Sequence, residues 1–175
     1  MKQASVTIKK ISPLLMHRYP LCPVAGMDKK PPKEQAEYAA YRDDKGVLYI
    51  PGEALQRALV GAATYSKGKG RGSLQKNAAA GLMVRESFLS LGKQEYAIDS
   101  RRVVIAATKG AVIRHRPRID EWEVSFTLEW DETLLSEVEV RRIVDDAGSR
   151  VGLLDFRPER KGPFGRFMVT QWVTT

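Results

Sequence analysis

The chain has 175 residues, 43% of them hydrophobic, with 29 Lys and Arg against 21 Asp and Glu and a net charge of +8. That length suits one domain with an elaborated insertion, and the apolar fraction is enough for a sizeable core. No run of about 18 apolar residues is present, which argues against a membrane helix, and the lone cysteine, Cys22, excludes an internal disulfide or a cysteine-rich metal site. The N-terminus lacks an apolar block followed by a small-residue cleavage site, so a cytoplasmic protein is expected. The positive balance favours a polyanion as partner, nucleic acid first. A basic soluble protein without such a partner would carry the same charge.

Ala4 to Ile11 alternates with a period of two, as a half-buried strand does, and Pro13 ends it. His17 to Pro32 is dense in proline and glycine and reads as a loop. Pro32 can open a short helix over Lys33 to Tyr41. Residues 12–46 together read as an irregular insertion after the first strand. Val47 to Ile50 is a short strand running into Pro51-Gly52. A helix over Glu53 to Tyr65 follows, with Leu55, Ala58, Leu59, Ala62 and Ala63 at three-four spacing. Leu74 to Ala80 is a second, alanine-rich helical segment, and Leu82 to Leu89 reads as one strand.

Gln94 to Ile119 suggests a basic hairpin turning at Lys109-Gly110. Trp122 to Trp130 is the clearest strand. Trp122, Val124, Phe126, Leu128 and Trp130 face one way, and Glu123, Ser125, Thr127 and Glu129 the other. Leu134 to Ala147 is an amphipathic helix with Gly148 at the C-cap position. Phe167 to Val173 is the last strand. With the irregular pieces set aside, the order is strand, helix, strand, strand, helix, strand. That order is α+β and ferredoxin-like: an antiparallel sheet with two helices on one face, and here an inserted basic hairpin. The opposite face would be free for a ligand, as in RNA-recognition sheets.

Four stretches can carry chemistry. In "YIPGEALQRAL", Tyr49 to Leu59, a helix starts directly after Pro-Gly and its free N–H groups suit a phosphate. Glu53 competes for those donors, and an ordinary strand-to-helix turn looks the same. "SKGKGRG", Ser66 to Gly72, alternates glycine with Lys67, Lys69 and Arg71; it is either a phosphate cradle or a solvated loop. The 101–118 region places Arg114, Arg116 and Arg118 on an arm with no acid inside it, and could track a nucleic-acid backbone. "GLLDFRPERKGPFGRFMV", Gly152 to Val169, mixes Gly162 and Gly165 with Arg157, Arg160, Lys161 and Arg166. Its Phe156 and Phe164 read first as core side chains and second as stacking platforms.

Catalytic signals are sparse. His17, just after the first strand, is the candidate general acid–base; a hydrogen-bonded surface histidine would look the same. No acidic cluster has metal-ligand spacing, and no nucleotide-binding loop or nucleophile elbow appears. No cofactor is expected, and binding is expected ahead of catalysis.

"YIPGEALQRALVGAA" resembles the "IPGSSLKGALR" signature of the RAMP superfamily, the repeat-associated proteins of CRISPR effector complexes. "GPFGRFMV", after a basic run, looks like that family's C-terminal glycine-rich loop, and "SPLLMHR" is similar to the exit of its first strand. The resemblance implies a single RAMP-like domain over 1–175, with 91–119 as a thumb-like hairpin insertion. It implies single-stranded RNA as ligand, a guide RNA first, held by the glycine-rich loop and the first helix region; a single-stranded DNA-binding protein of a mobile element is a separate alternative, because the fold does not choose between sugars. It also implies copies stacked side by side in a filament, and other effector-complex subunits as partners. This chain departs from the pattern at Glu53-Ala54, where two small hydroxyl residues are usual, and at Gln56-Arg57, where Lys-Gly is usual. Two residues separate Gly162 from Gly165, where one is usual. Target-cutting members carry an aspartate before the "IPG" strand, and neither Asp28, Glu34 nor Glu37 matches it. Processing ribonucleases of the superfamily use a histidine, a part that falls here to His17.

Overall fold

The computed structural model describes residues 1–68, 70 and 72–175. In chain order it runs β1 (Lys2–Lys10), β2 (Leu14–Leu15), α1 (Pro32–Tyr38), β3 (Tyr49–Pro51), α2 (Gly52–Ala62), α3 (Gln75–Gly81), β4 (Leu82–Val84), β5 (Phe88–Ser90), β6 (Ala97–Val104), β7 (Ala111–Ile119), β8 (Glu123–Trp130), α4 (Glu137–Asp146) and β9 (Phe167–Thr174). The main sheet is antiparallel with order β4-β8-β1-β9. Counting only β1, α2, β4, β8, α4 and β9, this is the ferredoxin-like connection, with the first and third strands in the centre.

Period-two patterning sets the register. Ala4, Val6 and Ile8 pair with Leu128, Phe126 and Val124, and all six are buried. A slip of one residue would turn that whole set to water. Leu55, Ala58, Leu59 and Ala62 of α2 and Val140, Ile143 and Val144 of α4 close the core over this face. Each large aliphatic side chain so buried contributes about 1.5–3 kcal/mol. α4 begins with a full capping box, in which Ser136 Oγ accepts from Glu139 N and the Glu139 carboxylate accepts from Ser136 N.

The other face of the sheet presents Ser5, Thr7 and Lys9 beside Thr127, Ser125 and Glu123. Thr7 and Ser125 share a 2.8 Å hydroxyl hydrogen bond. Among the described residues this face carries no aromatic ring on which a base could stack, so it differs from an RNA-recognition sheet.

Three expectations change. The strand over Leu82 to Leu89 is two strands in different sheets: β4 pairs with β8, and β5 pairs with β3. Between them the Glu86 carboxylate accepts from Thr127 N and interrupts the ladder. Gly148 is not the C-cap. It lies in a π turn, Ala147–Val151, where a Cβ would meet Phe167 O at 2.2 Å. Gly152, at φ +77°, ends the helical run. The 12–46 stretch is more regular than expected, since β2 pairs with β7 and α1 lies within it.

β6 and β7 form the hairpin, and with β2 they make a second sheet of order β2-β7-β6. Its base is docked on the glycine-rich loop. Arg101 sits 5.6 Å from the Phe156 ring centre and 4.9 Å from that of Phe164, and Arg116 pairs with Asp155. Among the described residues no helix is long and apolar enough to cross a membrane.

Candidate nucleic-acid interface

β3 runs directly into α2 because Pro51 sets an extended φ and Gly52 carries no Cβ. A Cβ at Gly52 would lie 1.9 Å from Glu86 O, and Gly52 N already donates to Ser87 O at 2.8 Å. The Pro-Gly step thus docks the helix on the 86–88 segment. One turn later Arg57 pairs with Glu53 on the exposed face of α2.

The loop after α4 is knitted to the exit of β1. Gly165 N donates to Pro13 O at 2.8 Å, Asp155 N to Leu15 O at 3.0 Å, and Arg166 N to Ser12 Oγ at 3.0 Å. Within the loop, Gly162 N donates to Arg157 O and Phe164 N to Phe156 O. Leu154, Phe156 and Lys161 hold positive φ, a conformation that costs about 1–3 kcal/mol each for residues other than glycine. The surroundings over-determine this shape. A Cβ at Gly162 would lie 1.9 Å from Phe156 O, and one at Gly165 would lie 2.0 Å from Leu153 O. The bare backbone at both glycines therefore serves the loop's own packing. Phe164 is buried at 5% exposure, 6.0 Å from Phe156, so it is a core ring and not a stacking platform.

The start of α2, this loop and the segment after β2 enclose a cleft of about 800 Å³. His17 and Tyr19 come from the segment after β2, Tyr49 and Arg57 from the β3–α2 junction, and Arg157 and Arg160 from the loop. Arg157 is held by Glu159 at 2.7 Å, whereas Arg160 makes no ion pair among the described residues. Tyr41 also lines the cleft, and burial pushes its phenol up. Asp155 also lines the cleft. Burial raises its carboxyl, but the His17 ring and the Arg116 guanidinium outweigh burial and hold it below the usual carboxylate range. His17 Nδ1 is 3.7 Å from Asp155 Oδ2, longer than a hydrogen bond, so Arg116 is the firm partner.

The sequence-predicted residues divide. His17, Arg157 and Arg160 line the cleft. Arg114 and Arg116 line a smaller cavity that His17 also borders. Arg116 is only 7% exposed and is neutralised by Asp155, so it is no open phosphate contact. Arg118 is held by Asp120 at 2.8 Å, with Asp99 at 4.0 Å. Lys161 and Arg166 are exposed on the loop beside the cleft residues in sequence, and Lys67 is exposed in a bridge with Ser73. Lys69 and Arg71 lie outside the described residues. Sequence reasoning missed Arg18, Tyr19, Tyr41 and Asp155. Arg18 and Tyr19 could have been found from the run "MHRY" after the first strand and Asp155 from its place next to Phe156, whereas no local signal marks Tyr41.

No protein-family profile matches the sequence, and no curated protein matches it. Among solved structures, the chain is similar to a chain in a cryo-EM structure of the Type III-B Cmr-beta bound to cognate target RNA. The TM-score is 0.55 at 12% identity, over 99% of this chain and 60% of that one. This chain thus spans less than two thirds of that chain's length. The likeness concerns the fold alone: an α+β domain built on the antiparallel ferredoxin-like sheet.

Proposed function

We propose that this chain binds single-stranded RNA, chiefly by its phosphates, as a subunit of a cytoplasmic CRISPR effector ribonucleoprotein. In the finer form of this reading it coats a guide RNA in side-by-side copies. One observation carries the reading: the helix start after Pro-Gly, the glycine-rich loop and the exit of the first strand, far apart in sequence, meet around one cleft. The fold shared with a subunit of an assembly bound to target RNA supports it. Of the cations the sequence points to, Lys67, Arg114, Arg160, Lys161 and Arg166 make no ion pair among the described residues. Five such contacts to a single strand correspond to a log-log salt slope of about −3.5. An electrophoretic titration of single-stranded RNA across salt concentrations tests this, with DNA of the same sequence as competitor. No binding, or binding that ignores salt, refutes it.

A second reading rests on His17. It stands in the cleft 3.7 Å from Asp155, and Arg157 and Arg160 belong to the same lining. That is a general acid–base next to groups that could stabilise a phosphorane, as in a metal-independent repeat-processing endoribonuclease. Cleavage of RNA by the purified chain that disappears in His17→Ala would establish it and displace the binding-only reading.

A further inference from the structure

The open face of the main sheet offers no ring to a base, but the two-stranded sheet of β3 and β5 does. Its register sets Tyr49 opposite Ser90, Ile50 opposite Leu89 and Pro51 opposite Phe88. Alternation sends Ile50 and Leu89 to one face, and both are buried in the core. Tyr49, Pro51 and Phe88 share the other face with Ser90. The outer face of a half-buried antiparallel sheet is ordinarily polar. Here it carries two aromatic rings and a proline, and Phe88 is 61% exposed.

The rings are set before any ligand arrives. The Phe88 and Tyr49 rings are nearly perpendicular with centres 4.6 Å apart, and Tyr49 lies 5.7 Å from Tyr41. The bond from Gly52 N to Ser87 O fixes β5 beside the start of α2. Tyr41, Tyr49 and Pro51 line the large cleft, so the aromatic face is continuous with it.

Charge shows which part of a nucleic acid suits this place. Among the side chains lining the cleft, Arg57 is paired with Glu53, Arg157 with Glu159 and Asp155 with Arg116. Of the arginines in that lining, only Arg160 makes no ion pair among the described residues. One open guanidinium holds few phosphates, whereas an aromatic ring stacks on the π-face of any base. Lys161 and Arg166, exposed on the neighbouring loop, remain for the phosphates. Area points the same way. Two fully covered rings bury about 300–500 Å², short of the about 800 Å² that each partner gives to a specific protein interface.

We propose that Tyr49 and Phe88 form a stacking platform for one unpaired nucleobase of a bound single strand, whose phosphates run along the basic loop. This assignment rests on the RNA-binding reading and adds a base contact to it.

The test titrates the full chain with a single-stranded oligoribonucleotide and with an abasic ribose-phosphate strand of the same length, each across salt concentrations. Phe88→Ala should weaken binding of the base-bearing strand about 5- to 100-fold, the worth of one stacked base. It should leave the abasic strand and the salt slope unchanged, because no phosphate contact is removed. Phe88→Trp, which keeps a stacking ring, should retain the parent's affinity. Met83→Ala removes an exposed apolar side chain opposite Glu129 on the main sheet and should change neither strand. If Phe88→Ala fails to fold by circular dichroism, Phe88→Thr, which suits a strand better, carries the same comparison. RNA binding that Phe88→Ala leaves intact, or a loss that falls equally on the abasic strand, overturns the platform and leaves the RNA reading standing. No binding of either strand by the parent removes the RNA reading and the platform with it. Self-association of the free chain that Phe88→Ala abolishes assigns this face to a protein contact and also overturns the proposal.

Discussion

Asp155→Ala probes the joint between hairpin and loop. The Arg116 side chain is 8% exposed and that of Asp155 31%, and their contact ties β7 to the segment after α4. Removing the carboxylate leaves a guanidinium buried with no counter-charge. Breaking a buried pair from one side costs about 3–5 kcal/mol, and the partial exposure of Asp155 places this case near 3 kcal/mol. With an m-value of about 2 kcal/mol/M, the urea midpoint should fall by about 1.5 M. The melting temperature of a chain of this size should fall by about 6–12 °C. Equilibrium unfolding followed by far-UV circular dichroism reads both. The double variant Arg116→Met with Asp155→Leu should recover to within about 1 kcal/mol of the parent, because apolar groups of similar volume need no counter-charge. A loss below about 1 kcal/mol in Asp155→Ala would show that Arg116 is solvated or otherwise partnered. A double variant as unstable as the single one would refute the charge argument and leave shape as the cause.

Gly165→Ala should cost about 2–3 kcal/mol, because φ is +76° and the new methyl would meet Leu153 O at 2.0 Å; a urea midpoint within error of the parent would contradict the close-packed loop. Replacing Arg160, Lys161 and Arg166 together by Gln should lower the salt slope of RNA binding by about 2 and leave stability nearly unchanged, as these are exposed loop side chains. The Asp155 carboxyl is held below its ordinary value of 3.8, so its folded form is favoured when ionised. Its contribution is complete above that ordinary value and is lost as pH falls through the lower folded value. Glu37, held low mainly by Arg42 despite some burial, acts in the same direction. Urea midpoints measured from pH 6 to pH 2 should therefore drop on the acid side, and Asp155→Asn should flatten part of that drop; parallel acid limbs in the two proteins would argue against it.

The parts of the fold that depend on local periodicity were legible in the sequence. β1, β8 and β9 follow from alternation of period two, α2 and α4 from three-four spacing, and their order implies the ferredoxin-like sheet. The meeting of "YIPGEALQRAL" with the glycine-rich loop was legible only through the resemblance, since nothing local links residue 52 to residue 155. What tertiary structure decided is which face of each basic or glycine-rich segment meets protein and which meets water. On β7 the sequence places Arg114, Arg116 and Arg118 on one face by alternation. It cannot show that this face lies over Phe156, Phe164 and Asp155, which buries Arg116 and leaves Arg114 half exposed. Likewise a glycine in a sequence announces that something comes close without saying what. At Gly52, Gly162 and Gly165 it is the chain's own carbonyl oxygens, from residues 86, 156 and 153. The break in the Leu82 to Leu89 strand has the same origin, because Glu86 is recruited by Thr127 across the sheet. Periodicity is a property of neighbours along the chain, whereas burial of a charge and the closeness of a backbone belong to segments that only the folded core brings together.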